Sequence, residues 1–217
     1  MLRWIMLDTE TTGLDPKQGH RVLEIGLVEV VDRVITGRHW HHYLNPERDI
    51  PVESSAIHGI TAEKVKDAPV FSQVLESMMV FIGDASVVIH NAPFDLGFLD
   101  AECMRTDAPR NFRSRLTEVI DTLEMAKKMF PGSRKSLDAL CDRFEISRQE
   151  RVYHGALLDA QLLADVYLHL TRGQVNLIGD YRDGDQEKTK MTLPHAQILT
   201  VRRASESELQ RHLAYFA

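Results

Sequence analysis

Cysteine is scarce. The chain of 217 residues has two, Cys103 and Cys141, with no C-x-x-C spacing. That excludes a disulfide framework and a zinc knuckle, and it suits a reducing cytoplasm. Long apolar runs are missing as well. The uninterrupted ones are a few residues, far short of the roughly 20 that span a bilayer, so no membrane partner is expected. The opening Met1-Leu2-Arg3-Trp4-Ile5-Met6-Leu7 has no signal-peptide cleavage pattern, and Asp8 and Glu10 follow at once. Nor is there a surplus of positive charge. With 26 Lys/Arg against 32 Asp/Glu the formal net charge is −6, so charge alone cannot hold a nucleic acid. Compositional bias is absent too: 43% hydrophobic and 27% charged residues exclude disorder, collagen and low complexity over the whole chain.

What is there suffices for one good core with a short appendage. Seven Lys/Arg and six Asp/Glu fall from Thr171 onward, so the surplus of carboxylates lies in the first 170 residues, which makes that body a candidate metal binder. Arg3 to Leu7 reads as a buried strand broken by Thr11-Thr12-Gly13 and Asp15-Pro16. Arg21 to Val31 and Val34 to Leu44 read as two further strands, joined in a hairpin by Asp32-Arg33. Helical spacing then takes over. Phe71, Val74, Leu75, Met78, Phe81 and Ile82 form a stripe, with Pro69 at the first turn. Val87-Val88-Ile89 is a short buried strand, and Pro93 opens a helix with Phe98 and Leu99 inward. Asp121 with Glu124 has the form of a capping box for a helix ended by Pro131-Gly132. Ser136 starts another helix, and the last long one runs from about Leu158 to Leu170. A meander followed by alternating helices and strands is an α/β layout.

The chain divides into 1–171 as the main domain, 172–195 as a polar linker and 196–217 as a terminal unit. In that unit Ile198 to Val201 reads as a strand, and Ser205-x-x-Glu208 precedes the stripe Leu209, Leu213, Phe216. So small an amphipathic piece needs a partner surface.

The chemistry is carried by acids. Asp8 and Glu10 share one face of the first strand, because a strand has period two. Two carboxylates so placed repel unless a cation lies between them. Asp95 stands in the first turn of its helix on the face of Phe98 and Leu99, so it points inward, and the helix dipole favours its charge. Asp159, Leu163, Val166 and Leu170 form one helical stripe, which makes Asp159 a half-buried charge in want of a partner. His154 precedes it in a loop. Four carboxylates from three elements plus a histidine suggest an oxygen-rich site for hard cations, Mg²⁺ or Mn²⁺. Paired divalent ions suit in-line attack at phosphorus, with the histidine as general base.

Three segments then acquire a common meaning. Asp8-Thr9-Glu10-Thr11-Thr12-Gly13, His90-Asn91-Ala92-Pro93-Phe94-Asp95 and His154-Gly155-Ala156-Leu157-Leu158-Asp159-Ala160 resemble the three motifs of the DEDDh 3′–5′ exonucleases. The resemblance is strongest to the proofreading epsilon-subunit branch of bacterial DNA polymerase III, and it covers nearly all of 1–178. It implies a ribonuclease-H-like mixed sheet, an antiparallel meander plus parallel strands flanked by helices. It implies two divalent cations, with Asp8 bridging both and Glu10 and Asp159 completing the tighter one. Asp95 would act mainly through metal-bound water, and His154 would take the proton from the attacking water. Glu53, Ile57 and His58, together with Asp8, Glu10 and Asp159, would meet the 3′-terminal nucleotide. The implied reaction is removal of nucleotides from a single-stranded or frayed DNA 3′ end, in the bacterial cytoplasm. The implied partners are the polymerase catalytic subunit docked on 196–217, a sliding clamp bound through Gln174-Val175-Asn176-Leu177-Ile178 (anchors Gln174, Leu177 and Ile178), and a small accessory subunit of the core polymerase.

Arg38-His39-Trp40-His41-His42 invites a metal reading, but His39 and His41 share one strand face and His42 the other, so solvated or subunit-facing residues are expected. Three readings compete with DNA proofreading: an RNA 3′–5′ exonuclease of the same family, a non-catalytic polymerase–clamp scaffold, and a metal-stabilised structural domain. The last gives no reason for His154.

Overall fold

Alternating apolar positions in the N-terminal segment fold as the expected meander. The computed structural model describes residues 2–106, 110–148 and 153–172. β1 (Arg3–Thr11) pairs antiparallel with β2 (Val22–Val31), which pairs antiparallel with β3 (Val34–Tyr43). The hairpin turn is Asp32-Arg33, both at positive φ (45° and 69°), the combination that matches the twist of the flanking strands. β1 runs on from the apolar Arg3–Leu7 stretch to Thr11, the first residue of the expected break, so Asp8 and Glu10 lie on the strand as expected. The Thr11 hydroxyl donates to the Gly13 carbonyl, and the turn forms only there.

Helices α1 (Val52–His58), α2 (Ala62–Val65) and α3 (Phe71–Ile82) follow. Pro69 stands ahead of the α3 cap rather than in its first turn. β4 (Ser86–Ile89) and β5 (Val119–Asp121) then add in parallel on the other side of β1, giving the order β3-β2-β1-β4-β5. α4 (Ala92–Cys103) connects them, and α5 (Thr122–Met129), α6 (Leu137–Arg143) and α7 (Ala156–Leu170) complete the domain. This mixed sheet flanked by helices is the predicted ribonuclease-H-like arrangement.

The sheet is covered on both faces. Ile5 and Leu7 pack with Phe71, Met78, Phe98 and Leu99 from α3 and α4. Met6, Val28 and Val30 pack with Ala160, Leu163, Ala164 and Tyr167 of α7. The predicted single stripe on α7 therefore divides: Leu163 meets the sheet, whereas Val166 and Leu170 join Leu140 and Cys141 of α6. Each such aliphatic side chain contributes about 1.5–3 kcal/mol by leaving water. Asp121 caps α5 as expected through the Leu123 and Glu124 amides, but the Glu124 side chain pairs with Lys127 instead of closing a box. The linker beyond Arg172, the clamp-like Gln174, Leu177 and Ile178, and the 196–217 unit lie outside the described residues.

Candidate active site

The site forms at the C-terminal end of β1. Asp8 pairs across the ladder with Gly26, and Glu10 with Glu24, so all four face the α7 side. A Cβ at Gly26 would come within 2.4 Å of the Ala156 and Leu157 backbone. Glycine here is what allows the first turn of α7 to rest on the sheet, and that turn presents Asp159. Glu10, Asp159 and His154 each offer a ligand atom within 4.8 Å of the others. Asp159 is 3% exposed. The His154 side chain is 46% exposed, with Nδ1 3.2 Å from Asp159 Oδ2.

Two predicted residues stand outside that grouping. Asp8 shares the face, one pleat back along β1. Asp95 comes from α4, on the opposite side of the sheet, and accepts a hydrogen bond from Thr9 Oγ1 at 2.7 Å. Thr9 separates Asp8 from Glu10 in sequence, so Asp95 is anchored to the same stretch of strand. It is as inward as the sequence predicts, at 3% exposed. Burial pushes its carboxyl up to about 7, with the Thr9 hydrogen bond opposing and the Asp121 charge adding. Asn91, ahead of α4, has φ 68° and makes no side-chain cap. Asp121 at the end of β5 instead accepts the Asn91 and Ala92 amides at 3.1 Å each, which fixes the turn that carries Asp95.

α1 borders the site. The Ser54 hydroxyl donates to the Thr12 carbonyl, and the His154 amide donates to the Ile57 carbonyl at 3.2 Å. Glu53 is exposed and Ile57 is 56% exposed. His58 is buried, with Nδ1 accepting from the Ile60 amide. Burial lowers its pKa, and the nearby Glu24 charge opposes that shift.

Sequence reading gave no site role to Thr9, Gly26 or Glu24. Glu24 stands in the apolar run Val22-Leu23-Glu24-Ile25-Gly26, and a charge in a strand buried on both faces is the signal that could have found it. His41, expected as solvated or subunit-facing, instead meets Glu24 Oε1 through Nε2 at 2.7 Å. Strand alternation held otherwise: Trp40 and His42 rings pack together, as do His41 and Tyr43.

Two carboxylates and an imidazole so close fit a hard divalent cation. The set is richer in oxygen than zinc sites usually are, and without a cation the acids would repel.

Comparison with known proteins agrees. The model of the exonuclease family (RNase_T) matches residues 5–167. The DNA polymerase III subunit epsilon of Rickettsia typhi is 47% identical over 216 residues, 97% of this chain and 94% of the relative. That of Escherichia coli is 44% identical over 223 residues, 98% and 91% of the two chains. Among solved structures, exonuclease X in complex with 5′ overhanging duplex DNA is 28% identical with TM-score 0.62, over 78% of this chain and 91% of that one. The nuclease domain of 3′hExo, a DEDDh family member bound to rAMP, shares the fold at 19% identity and TM-score 0.67, over 78% and 92%. With the family model spanning most of the chain and relatives matched along nearly their whole length, this chain belongs to the exonuclease family and, within it, to the DNA polymerase III epsilon subunits.

Proposed function

We propose that this chain proofreads replication, removing mispaired 3′-terminal nucleotides from DNA by hydrolysis as part of a bacterial DNA polymerase III. The observation that carries the reading is the meeting of Glu10, Asp159 and His154 beside Asp8 at the end of the central strand. Asp8, Glu10 and Asp159 would hold two divalent cations, Mg²⁺ or Mn²⁺, which supply Lewis acidity and charge neutralisation at the phosphodiester. His154 takes the proton from the attacking water. Its Nδ1, engaged with Asp159, fixes the ring and tautomer so that Nε2 is the accepting atom. Asp95, joined by its hydrogen bond from Thr9 to the strand segment that bears Asp8 and Glu10, would act on the cations through water. Glu53, Ile57 and His58 of α1, next to His154, would meet the terminal nucleotide; Glu53 and Ile57 are exposed and His58 is buried.

Preference for mispaired ends needs no base reading. A frayed end delivers its last nucleotides single-stranded at lower free-energy cost than a paired one. A primer with a mispaired 3′ end, incubated with Mg²⁺, should lose nucleoside monophosphates faster than its paired twin, and a chelator or Asp8→Ala should stop the release. Equal turnover on RNA and DNA ends would favour the RNA exonuclease reading. Retained activity in Asp8→Ala would overturn the mechanism.

The partner assignments extend the same reading. Gln174, Leu177 and Ile178 anchor the chain to a sliding clamp, 196–217 docks on the polymerase catalytic subunit, and a small accessory subunit completes the core. Clamp pull-down with Gln174→Ala plus Leu177→Ala should fail, and deleting 196–217 should abolish co-purification with the polymerase. Unchanged capture in either assay removes that assignment.

A further inference from the structure

Glu24 faces Glu10 directly across the β1–β2 ladder, so two carboxylates share one sheet face. Like charges opposed in this way are destabilising, and Glu24 is only 3% exposed. A buried anion beside another acid persists when its oxygens are engaged. Both are. Oε1 meets His41 Nε2 at 2.7 Å, and Oε2 accepts the Ala156 amide at 3.2 Å. Ala156 is the first residue of α7, and the preceding Gly155 offers no side-chain cap. The helix thus takes its N-terminal acceptor from a strand 132 residues earlier, and the negative charge there matches the positive end of the helix dipole. His41 is itself set edge-on to the Tyr43 ring, 5.0 Å between centroids.

The other end of α7 is gripped by the same hairpin. Arg33 donates to the Leu168 carbonyl at 2.7 Å and to the Thr171 hydroxyl at 2.8 Å. Both ends are therefore held from outside the helix, but only the Glu24 end carries Asp159 and adjoins His154.

We infer that Glu24, oriented by His41, is a positioning residue of the hydrolytic site: it fixes the first turn of α7 so that Asp159 and His154 face Glu10. The inference rests on the metal-dependent hydrolysis proposed above. Both oxygens of Glu24 are bonded to protein donors, which marks it as a holder of the ligands rather than a ligand.

The test uses the full chain, Mn²⁺ titration calorimetry without DNA, and turnover on a single-stranded oligonucleotide. Glu24→Ala should weaken Mn²⁺ binding about tenfold or more and lower kcat by a similar factor, with KM changed far less. Glu24→Gln, which can still accept the Ala156 amide, should recover most of both. Arg33→Ala removes a grip of comparable size at the far end of α7. It should lower Tm and leave Mn²⁺ affinity and kcat as they were, a split that a merely structural role for Glu24 would not produce. Should Glu24→Ala fail to fold, Glu24→Asp keeps the charge but shortens the reach, and it should show the same loss in milder form. Wild-type Mn²⁺ affinity in a folded Glu24→Ala or Glu24→Asp variant overturns the inference. So does an Arg33→Ala variant that loses Mn²⁺ affinity equally. A wild-type chain that neither binds Mn²⁺ nor releases nucleotides overturns the proposed function itself, whereas one that does both while the Glu24 variants match it overturns only the positioning role.

Discussion

On the α7 side of the sheet, Glu10, Asp159 and His154 stand together, and the imidazole is open to solvent on nearly half its surface. On the α4 side, Asp95 is sealed at 3% exposure with Thr9 Oγ1 at 2.7 Å. The two sides hold the same kind of group under different physics. Asp159 is as buried as Asp95, but it stands against Glu10 and the solvent-open His154, and acids crowded in this way are governed by one another and by any cation they share. Asp95, outside that grouping, is governed first by lost hydration and then by the Asp121 charge, which together push its carboxyl up to about 7 against the Thr9 hydrogen bond. Family membership gives both to one reaction, but their electrostatics differ, and four experiments exploit that difference.

The largest effect falls on the crowded side. Asp159→Asn removes a charge from the ion cage, and turnover should drop by about 10³-fold or more, roughly 4 kcal/mol of transition-state stabilisation, while the circular dichroism spectrum is kept. A loss under tenfold would remove Asp159 from the cage.

Asp95 should show itself in stability as well as in rate. Its folded pKa, about 7, exceeds the ordinary 3.8, so the folded state binds the extra proton between those values. Stability of chelator-treated protein should therefore be greatest at acid pH, fall as pH rises towards 7, and level off above it. The full span is on the order of 4 kcal/mol. Denaturant titration at a series of pH values should find this slope in the wild type and lose it in Asp95→Asn; an unchanged slope places the buried proton elsewhere.

His154→Ala should reduce turnover by about 10²-fold, the usual worth of a positioned general base. Turnover kept in a folded His154→Ala variant would count against this assignment.

The smallest effect tests the link between the sides. Thr9→Val deletes the hydroxyl that donates to Asp95 and should cost about 1–3 kcal/mol in denaturant titration, with the Asp95 carboxyl moving higher still. Unaltered stability would mean that Thr9 contributes little to holding the buried acid.

Much of this was legible in the chain. The hairpin was legible because only the two residues Asp32-Arg33 separate two strand-like runs, even though an Arg at φ 69° is not what such a turn prefers. The inward course of Asp95 followed from helical period alone. Glu24 and His41 were not legible in the same way, since their bond joins β2 to β3 and continues to α7, and no local period records such a pairing. The end of β1 at Thr11 was legible too, because turn-forming Thr12-Gly13 follows the last residue that the ladder with β2 pairs.

By itself the sequence determined which groups take part: three acidic motifs in order, a histidine in the loop before the last helix, and the strand and helix periods that set the face of each acid. Only tertiary structure decided which acids share one small volume and which one is sealed away. Proximity across the fold depends on how strands register and where a helix lands, here on the bare backbone of Gly26, and those choices are made by packing among residues far apart in the chain.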